Sequence, residues 1–434
     1  MQSVTKILLG SVLALAAAIL AACGSGSNTV VPAGIRMVND TSAALVLNLN
    51  GAGTISSVAA DSSSGYLSVT PGTYTQSVSG SSTSVASSAN TVGLGTGQNY
   101  TTLAYPRNNV IYSATYTDNQ AVPLAGFSSL NIANVSVDAG PVDVYLVSHP
   151  FTSLTGLSPS FQSVQGLSTA VTLASTNTSA TPAINYDIVV TAAGKPTDVR
   201  LTLSGPNFAS AQQYTLALTG TPGGALVNSV LIPQGIPVPA TAFVPTTLAR
   251  VRVLSGLPVG NSIQVLATVG STTLAPDYAP SPTHYQLVAA GSAITALTVG
   301  GAPLATLPTT TFAAGGDYTI LVYGTAAAPQ AVVLTDVNQV TTNFASVRVV
   351  NAAVTAPTGL TLFINGSLGP SGVLYGTDGA PNDYSGVTPA SGATLQLNGA
   401  GYSGLPATFS LVTGSVYTVF VYDPTLPPLV ITDR

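Results

Sequence analysis

A tyrosine-threonine pair enters an apolar stretch four times along this chain, at domain-sized intervals. The segments read GQNYTTLAY from Gly97, AQQYTLALTG from Ala211, GGDYTILVYG from Gly315 and GSVYTVFVYD from Gly414. Tyr100, Tyr214, Tyr318 and Tyr417 are 114, 104 and 99 residues apart. A period of that length is a domain repeated in tandem. Other elements keep their order around the pair. An opening strand reads GIRMVND from Gly34, LNIANVS from Leu130, ARVRVLSG from Ala249 and ASVRVVNA from Ala345. A mid-domain tyrosine follows at Tyr66, Tyr186, Tyr285 and Tyr384. A closing segment reads IYSATYTD from Ile111, ALVNSVLI from Ala225, AVVLTDVN from Ala331 and PLVITDR from Pro428.

These segments are strands rather than helices. Forty-three Gly and thirty Pro punctuate Val-, Thr-, Leu- and Tyr-rich runs, which is how short strands and turns read. In Val251-Arg252-Val253 and Val347-Arg348-Val349 the arginine points away from its neighbours, the period-2 signature of a strand with one buried face. The fold class is therefore all-β, as four tandem immunoglobulin-like two-sheet β-sandwich domains. Repeat one spans 34–120, repeat two 126–234, repeat three 248–339 and repeat four 342–434. Residues 235–247 are Pro-rich and read as a semi-rigid linker. The stretch from Phe151 to Thr181 reads as an insertion, either an exposed loop or a short helix. Set end to end, the four units make a rod.

The start of the chain carries an address. Lys6 precedes a short apolar run, Ile7 to Ala22, which ends in Leu20-Ala21-Ala22-Cys23. Residues 1–22 read as a cleaved lipoprotein signal peptide and 23–33 as a tether whose acylated Cys23 inserts into membrane lipid. Gly24 follows the cysteine where an inner-membrane protein would carry Asp, so the expected location is the outer membrane, on its periplasmic or surface-facing side. Cys23 is the single cysteine, so disulfides within the chain are excluded. Charged residues make up 5% of the chain, with a net charge of −5 and no Glu. Nucleic acid as a partner is disfavoured, because phosphate contact needs clustered cations. The apolar fraction of 46% nonetheless supplies cores.

Asn134-Val135-Ser136-Val137-Asp138-Ala139-Gly140-Pro141-Val142-Asp143-Val144-Tyr145 resembles the start of a bacterial extracytoplasmic domain of unknown function, family 4397. Its members read R-V-x-N-A, a Pro-rich turn, then V-D-V-Y. Arg348-Val349-Val350-Asn351-Ala352 is similar to the opening, and Val142 to Tyr145 to the second part. The resemblance implies a β-rich, exported, often tandem domain without assigned catalytic residues.

The remaining chemistry is sparse. His149 and His284 are the two histidines and fall in different repeats, whereas a zinc site needs three or four ligands at tight spacing. No P-loop, dinucleotide fingerprint or nucleophile elbow occurs. Asp138 and Asp143 in repeat two, Asp378 and Asp383 in repeat four, and Asp277 in repeat three lie at turns, where they cap backbone or add oxygens for calcium. The repeated tyrosine reads as a corner that ties a crossover through its hydroxyl. No catalytic, metal or cofactor-binding residue is expected, and the assigned modification is lipidation of Cys23. The expected role is a non-enzymatic envelope scaffold or adhesion module with an envelope protein or glycan as partner. The alternative is an Asp-dependent glycan hydrolase or glycan-binding lipoprotein.

Overall fold

The computed structural model describes residues 30–80, 87–118, 121–176, 185–235, 240–257, 263–274, 277–278, 284–354, 359–379, 384–402, 404 and 406–434. Cys23 and residues 1–22, expected to be a signal peptide, lie outside these residues, as does Asp383. Every regular element among them is a strand.

The same two sheets recur four times. The first sheet is built on the opening strands Ala33–Asn39, Phe127–Asn134, Leu248–Ser255 and Ala345–Asn351. Each pairs in parallel with the tyrosine strand of its own repeat: Asn99–Arg107, Gln212–Gly220, Asp317–Thr325 and Val416–Val421. The register is the same in all four, with Ile35, Leu130, Val251 and Val347 opposite Tyr100, Tyr214, Tyr318 and Tyr417. The tyrosine strand then turns back antiparallel into the closing strand, Val110–Thr117, Val227–Pro233, Ala328–Asp336 or Leu429–Thr432. A second sheet holds the strand that follows the opening one, for example Val142–Ser148 against Tyr186–Ala192 in repeat two. Its inward side chains meet those of the first sheet in one core per repeat. In repeat three, Val251, Val253, Tyr318, Ile320 and Val322 from one sheet pack on Val265, Ala267, Leu297 and Val299 from the other.

Of the stretch Phe151 to Thr181, the described part, 151–176, holds no helix. It supplies strands Phe161–Val164, Gly166–Leu167 and Val171–Ala174, and the last pairs with the opening strand as Leu67–Val69 does in repeat one. Within the Pro-rich stretch, Ala242–Val244 pairs with Val227–Pro233 as an added edge strand, so the connection is partly fixed by backbone hydrogen bonds.

The rod is also corrected. Alternation places a second set of side chains on the outer face of each first sheet, and a neighbouring repeat covers that face. Val38, Leu103, Tyr105 and Tyr116 of repeat one pack on Ala133, Ala217, Val230 and Ile232 of repeat two. Leu254, Leu321 and Leu334 of repeat three pack on Val350, Ala352, Phe420 and Ile431 of repeat four. Consecutive repeats are thus joined face to face in two pairs. The approach is close: a Cβ added at Gly256 would lie 2.1 Å from Cβ of Ala352. Contacts also link the pairs. Gly224, at φ +91°, leaves room for the backbone of Asn338, 2.7 Å from where a Cβ would stand.

Candidate functional site: a polar cluster repeated on the outer face

On the outer face of each first sheet, one residue after the inward position paired with the tyrosine, stands Arg36, Asn131, Arg252 or Arg348. Opposite them are Thr101, Thr215, Thr319 and Thr418, the threonines of the repeated pair. The end of the closing strand, or the residue just past it, brings Asp118, Gln234, Asp336 or Asp433 beside the threonine. Strand geometry fixes this assembly, since neighbours across a ladder share a face.

In repeat three Arg252 Nε donates to Thr319 Oγ1 (2.9 Å), and Thr319 donates to Asp336 Oδ2 (2.6 Å). Tyr285 OH donates to the same oxygen (2.5 Å), and its ring lies between Arg250 and Arg252, 4.4 and 4.6 Å from their guanidinium carbons. Repeat four repeats the relay from Arg348 to Thr418 (2.9 Å) and from Thr418 to Asp433 (2.5 Å), with Tyr384 under the guanidinium. The two clusters then exchange partners. Arg252 Nη1 reaches Asp433 of repeat four (2.5 Å), and Arg348 Nη2 reaches Asp336 of repeat three (2.6 Å). Asp378 adds a third carboxylate, 3.1 Å from Arg348. The arrangement is a two-fold exchange of charge across an interface.

Repeat one holds the same set: Arg36 to Thr101 (2.7 Å), Thr101 to Asp118 (2.6 Å) and Tyr66 to Asp118 (2.6 Å). Repeat two does not. Asn131 replaces the arginine, Gln234 replaces the aspartate, and Ala170 precedes the lateral strand where Tyr66, Tyr285 and Tyr384 stand. Tyr186, grouped with those tyrosines by sequence, belongs to the second sheet and packs on Phe208. Gln234 keeps one bond, from its amide to Thr215 (2.9 Å). Arg36 Nη1 and Nη2, Asp118 Oδ1, Asn131 Oδ1 and Gln234 Oε1 are all buried without a hydrogen-bond partner.

The electrostatics follow. Burial pushes Asp336 up, but Arg348, Arg252, Thr319 and Tyr285 together hold it below the ordinary carboxylate range. Burial raises Asp118, and Arg36, Thr101 and Tyr66 offset only part of that rise. Burial also raises Tyr285 and Tyr384 far from their ordinary ionisation.

The residues singled out by sequence fall elsewhere. The tyrosine hydroxyls each accept the backbone N–H five residues upstream: Gly95 to Tyr100 (2.7 Å), Ala209 to Tyr214 (2.9 Å), Ala313 to Tyr318 and Val412 to Tyr417 (both 3.0 Å). Asp143 accepts from the N–H of Ser163 and Gly194 (2.7 and 2.8 Å), as a turn cap does. Asp138 and Asp378 are instead arginine partners, Asp138 of Arg107 at 2.7 Å. Asp277 begins a short strand pairing with Gln264–Val269, and His284 is exposed. His149 Nδ1 lies 2.9 Å from Asp187, whose carboxylate also accepts from Phe151 and Gly205. Burial raises Asp187, but these donors hold it below its usual range. Among the described residues, no three His, Cys or Asp side chains converge as a metal site.

Asp336 and Asp433 stand beside neither Gly nor Pro, so the turn signal carried by Asp277 and Asp378 is missing from them. Their signal was a Thr-Asp pair closing a repeat, at Thr117-Asp118, Thr335-Asp336 and Thr432-Asp433, with Pro233-Gln234 in repeat two.

No curated protein matches the chain. A family model described as Domain of unknown function (DUF4397) matches residues 33–145. The match begins with the opening strand of repeat one and ends inside the second strand of repeat two, at the Tyr of Val-Asp-Val-Tyr. It therefore contains Arg36, Thr101 and Asp118 together with Asn131. Residues 33–145 form a DUF4397 domain within an all-β chain of repeated sheets.

Proposed function

We propose that this chain is a non-enzymatic cell-envelope protein, a scaffold or adhesion module of immunoglobulin-like sandwiches held to the outer membrane by lipid on Cys23. The observation that carries the non-enzymatic part is the fate of the carboxylates. Three acids that come together, Asp336, Asp378 and Asp433, have side chains 0, 8 and 0% exposed and lie under Arg252 and Arg348. A glycosidase pair instead flanks an open cleft with room for sugar and water. Rigid sandwiches leave loops as the natural place for binding an envelope protein or glycan. The anchor rests on Lys6, the apolar run and Leu20 to Cys23.

Two measurements test this. Metabolic labelling with a fatty acid should mark wild type and not Cys23→Ser; equal labelling removes the anchor. Incubation with peptidoglycan and capsular glycans should release no sugar. Turnover abolished by an Asp→Asn substitution would replace the scaffold with a hydrolase.

A further inference from the structure

The chain has nine basic residues, and four arginines, one from each repeat, gather where the two pairs of repeats meet. Arg250 of repeat three forks onto Asp317 (2.8 and 2.6 Å), and Asn338 binds the same carboxylate (2.7 Å). The carbonyl of Asn338 accepts from Arg434 of repeat four (3.5 Å), whose other nitrogen donates to the carbonyl of Val137 (2.9 Å). The next residue, Asp138, takes the fork of Arg107 from repeat one (2.7 and 2.8 Å). Arg200 of repeat two shares Asp198 with Arg250, at 2.7 and 4.0 Å.

Side-chain charge here is uneven. Asp138, Asp198 and Asp317 face four guanidinium groups, and among the described residues Arg434 donates to the carbonyls of Asn338 and Val137. Arg200 is 7% exposed, and its Nε and Nη1 are buried with no partner. Leaving donors of a buried cation unmet is costly. Consistent with crowded cations, Arg434 is pushed down to about 10, by burial first and then by Arg200, Arg250 and Arg107 against the opposing Asp138. The cluster reaches the surface at its edge, where Asp198 is 30% exposed and the adjoining Gly194 to Thr197 hairpin is exposed.

We propose that this junction binds a phosphate-class oxyanion between Arg200 and Arg434. Guanidinium groups suit such oxygens, which offer charge-assisted acceptors in several directions. Bound there, the anion ties repeats two and four together. The phosphate is either free or the headgroup of a lipid.

The test uses the full chain at fixed ionic strength. Titration of inorganic phosphate, followed by calorimetry, should give saturable binding that chloride does not reproduce. Arg200→Gln and Arg434→Gln should each weaken it by at least about tenfold. Circular dichroism establishes that each variant is folded, and Arg434→Gln serves if Arg200→Gln is not. Flotation with phosphatidic acid vesicles against phosphatidylcholine vesicles separates the sources. Arginine-dependent flotation without binding of free phosphate assigns the site to lipid. Absence of both kinds of binding, or binding equal in the Arg variants and wild type, overturns the proposal.

Discussion

The cluster joining repeats three and four is reciprocal, and the one joining repeats one and two is one-sided. In the first, each arginine has a threonine at home and an aspartate across the interface. In the second, Arg36 keeps its threonine, but the residue placed like Asp433 is the neutral Gln234, and two guanidinium nitrogens stay unmet. The 1·2 interface holds through other contacts: the Arg107 fork on Asp138, and Thr219 of repeat two donating to Asp40 of repeat one (2.6 Å). Its apolar part uses small residues, Ala133 and Ala217, where repeat four has Val350 and Phe420. One fold, in one register, thus supports both a reciprocal and a one-sided polar cluster. What changes is the outer face of repeat two, whose Arg, Asp and Tyr are replaced together. Removing one member alone would strand a buried charge, whereas removing all three avoids that cost.

The largest effect that separates the two interfaces is expected from deleting the arginines. Arg348→Met leaves Asp336 and Asp378 buried without their shared cation and should cost about 3 to 5 kcal/mol. Arg36→Met should cost less, about 1 to 3 kcal/mol, because Asp118 is already raised and keeps two hydroxyl donors. Urea denaturation of both variants checks the order; equal losses erase the distinction.

A feature common to all repeats serves as the internal standard. Tyr318→Ala should cost about 3 to 5 kcal/mol by loss of a buried ring. Tyr318→Phe should cost about 0.5 to 1.5 kcal/mol through its bond to Ala313. Tyr214 carries the same bond in repeat two, so Tyr214→Phe should match it regardless of interface chemistry.

Acid should act on the two interfaces unequally. Asp40 is pushed up to about 6, by burial first and by Asp61, with Thr219 opposing. A carboxylate raised on folding costs stability when ionised, so the 1·2 interface should strengthen as pH falls from 7 to 5. Asp40→Asn should remove that gain and add about 1 to 3 kcal/mol at pH 7. Asp336 is lowered, so its stabilisation is complete above the unfolded carboxylate pKa near 4 and is lost below it. Hydrogen exchange between pH 7 and 5 should therefore slow in repeats one and two, and slow less in three and four, where burial raises Asp378 against the opposing Arg348.

Much of this was legible in the sequence, up to a definite limit. Alternation around Arg252 and Arg348 put them on the face opposite Val251 and Val347, and that is where they lie. The same pattern is silent on what covers that face, because period 2 distinguishes sides of a sheet and not water from a neighbouring repeat. The repeated tyrosine was legible because one residue at one spacing makes one local bond four times. The aspartate of the cluster was not, since the arginine that Asp433 meets across the interface, Arg252, stands 181 positions earlier in the chain, in another repeat. Repeat two misled the alignment of tyrosines because Tyr186 fills the count left by Ala170.

The central claim is that repeats three and four are joined by charges exchanged between their outer faces. A double-mutant cycle on Arg252 and Asp433, as Arg252→Gln, Asp433→Asn and the pair together, measures it directly by urea denaturation. The account predicts a coupling energy of about 1.5 kcal/mol or more, as for other close, desolvated charge pairs. Additive losses, with coupling under about 0.5 kcal/mol, would contradict it.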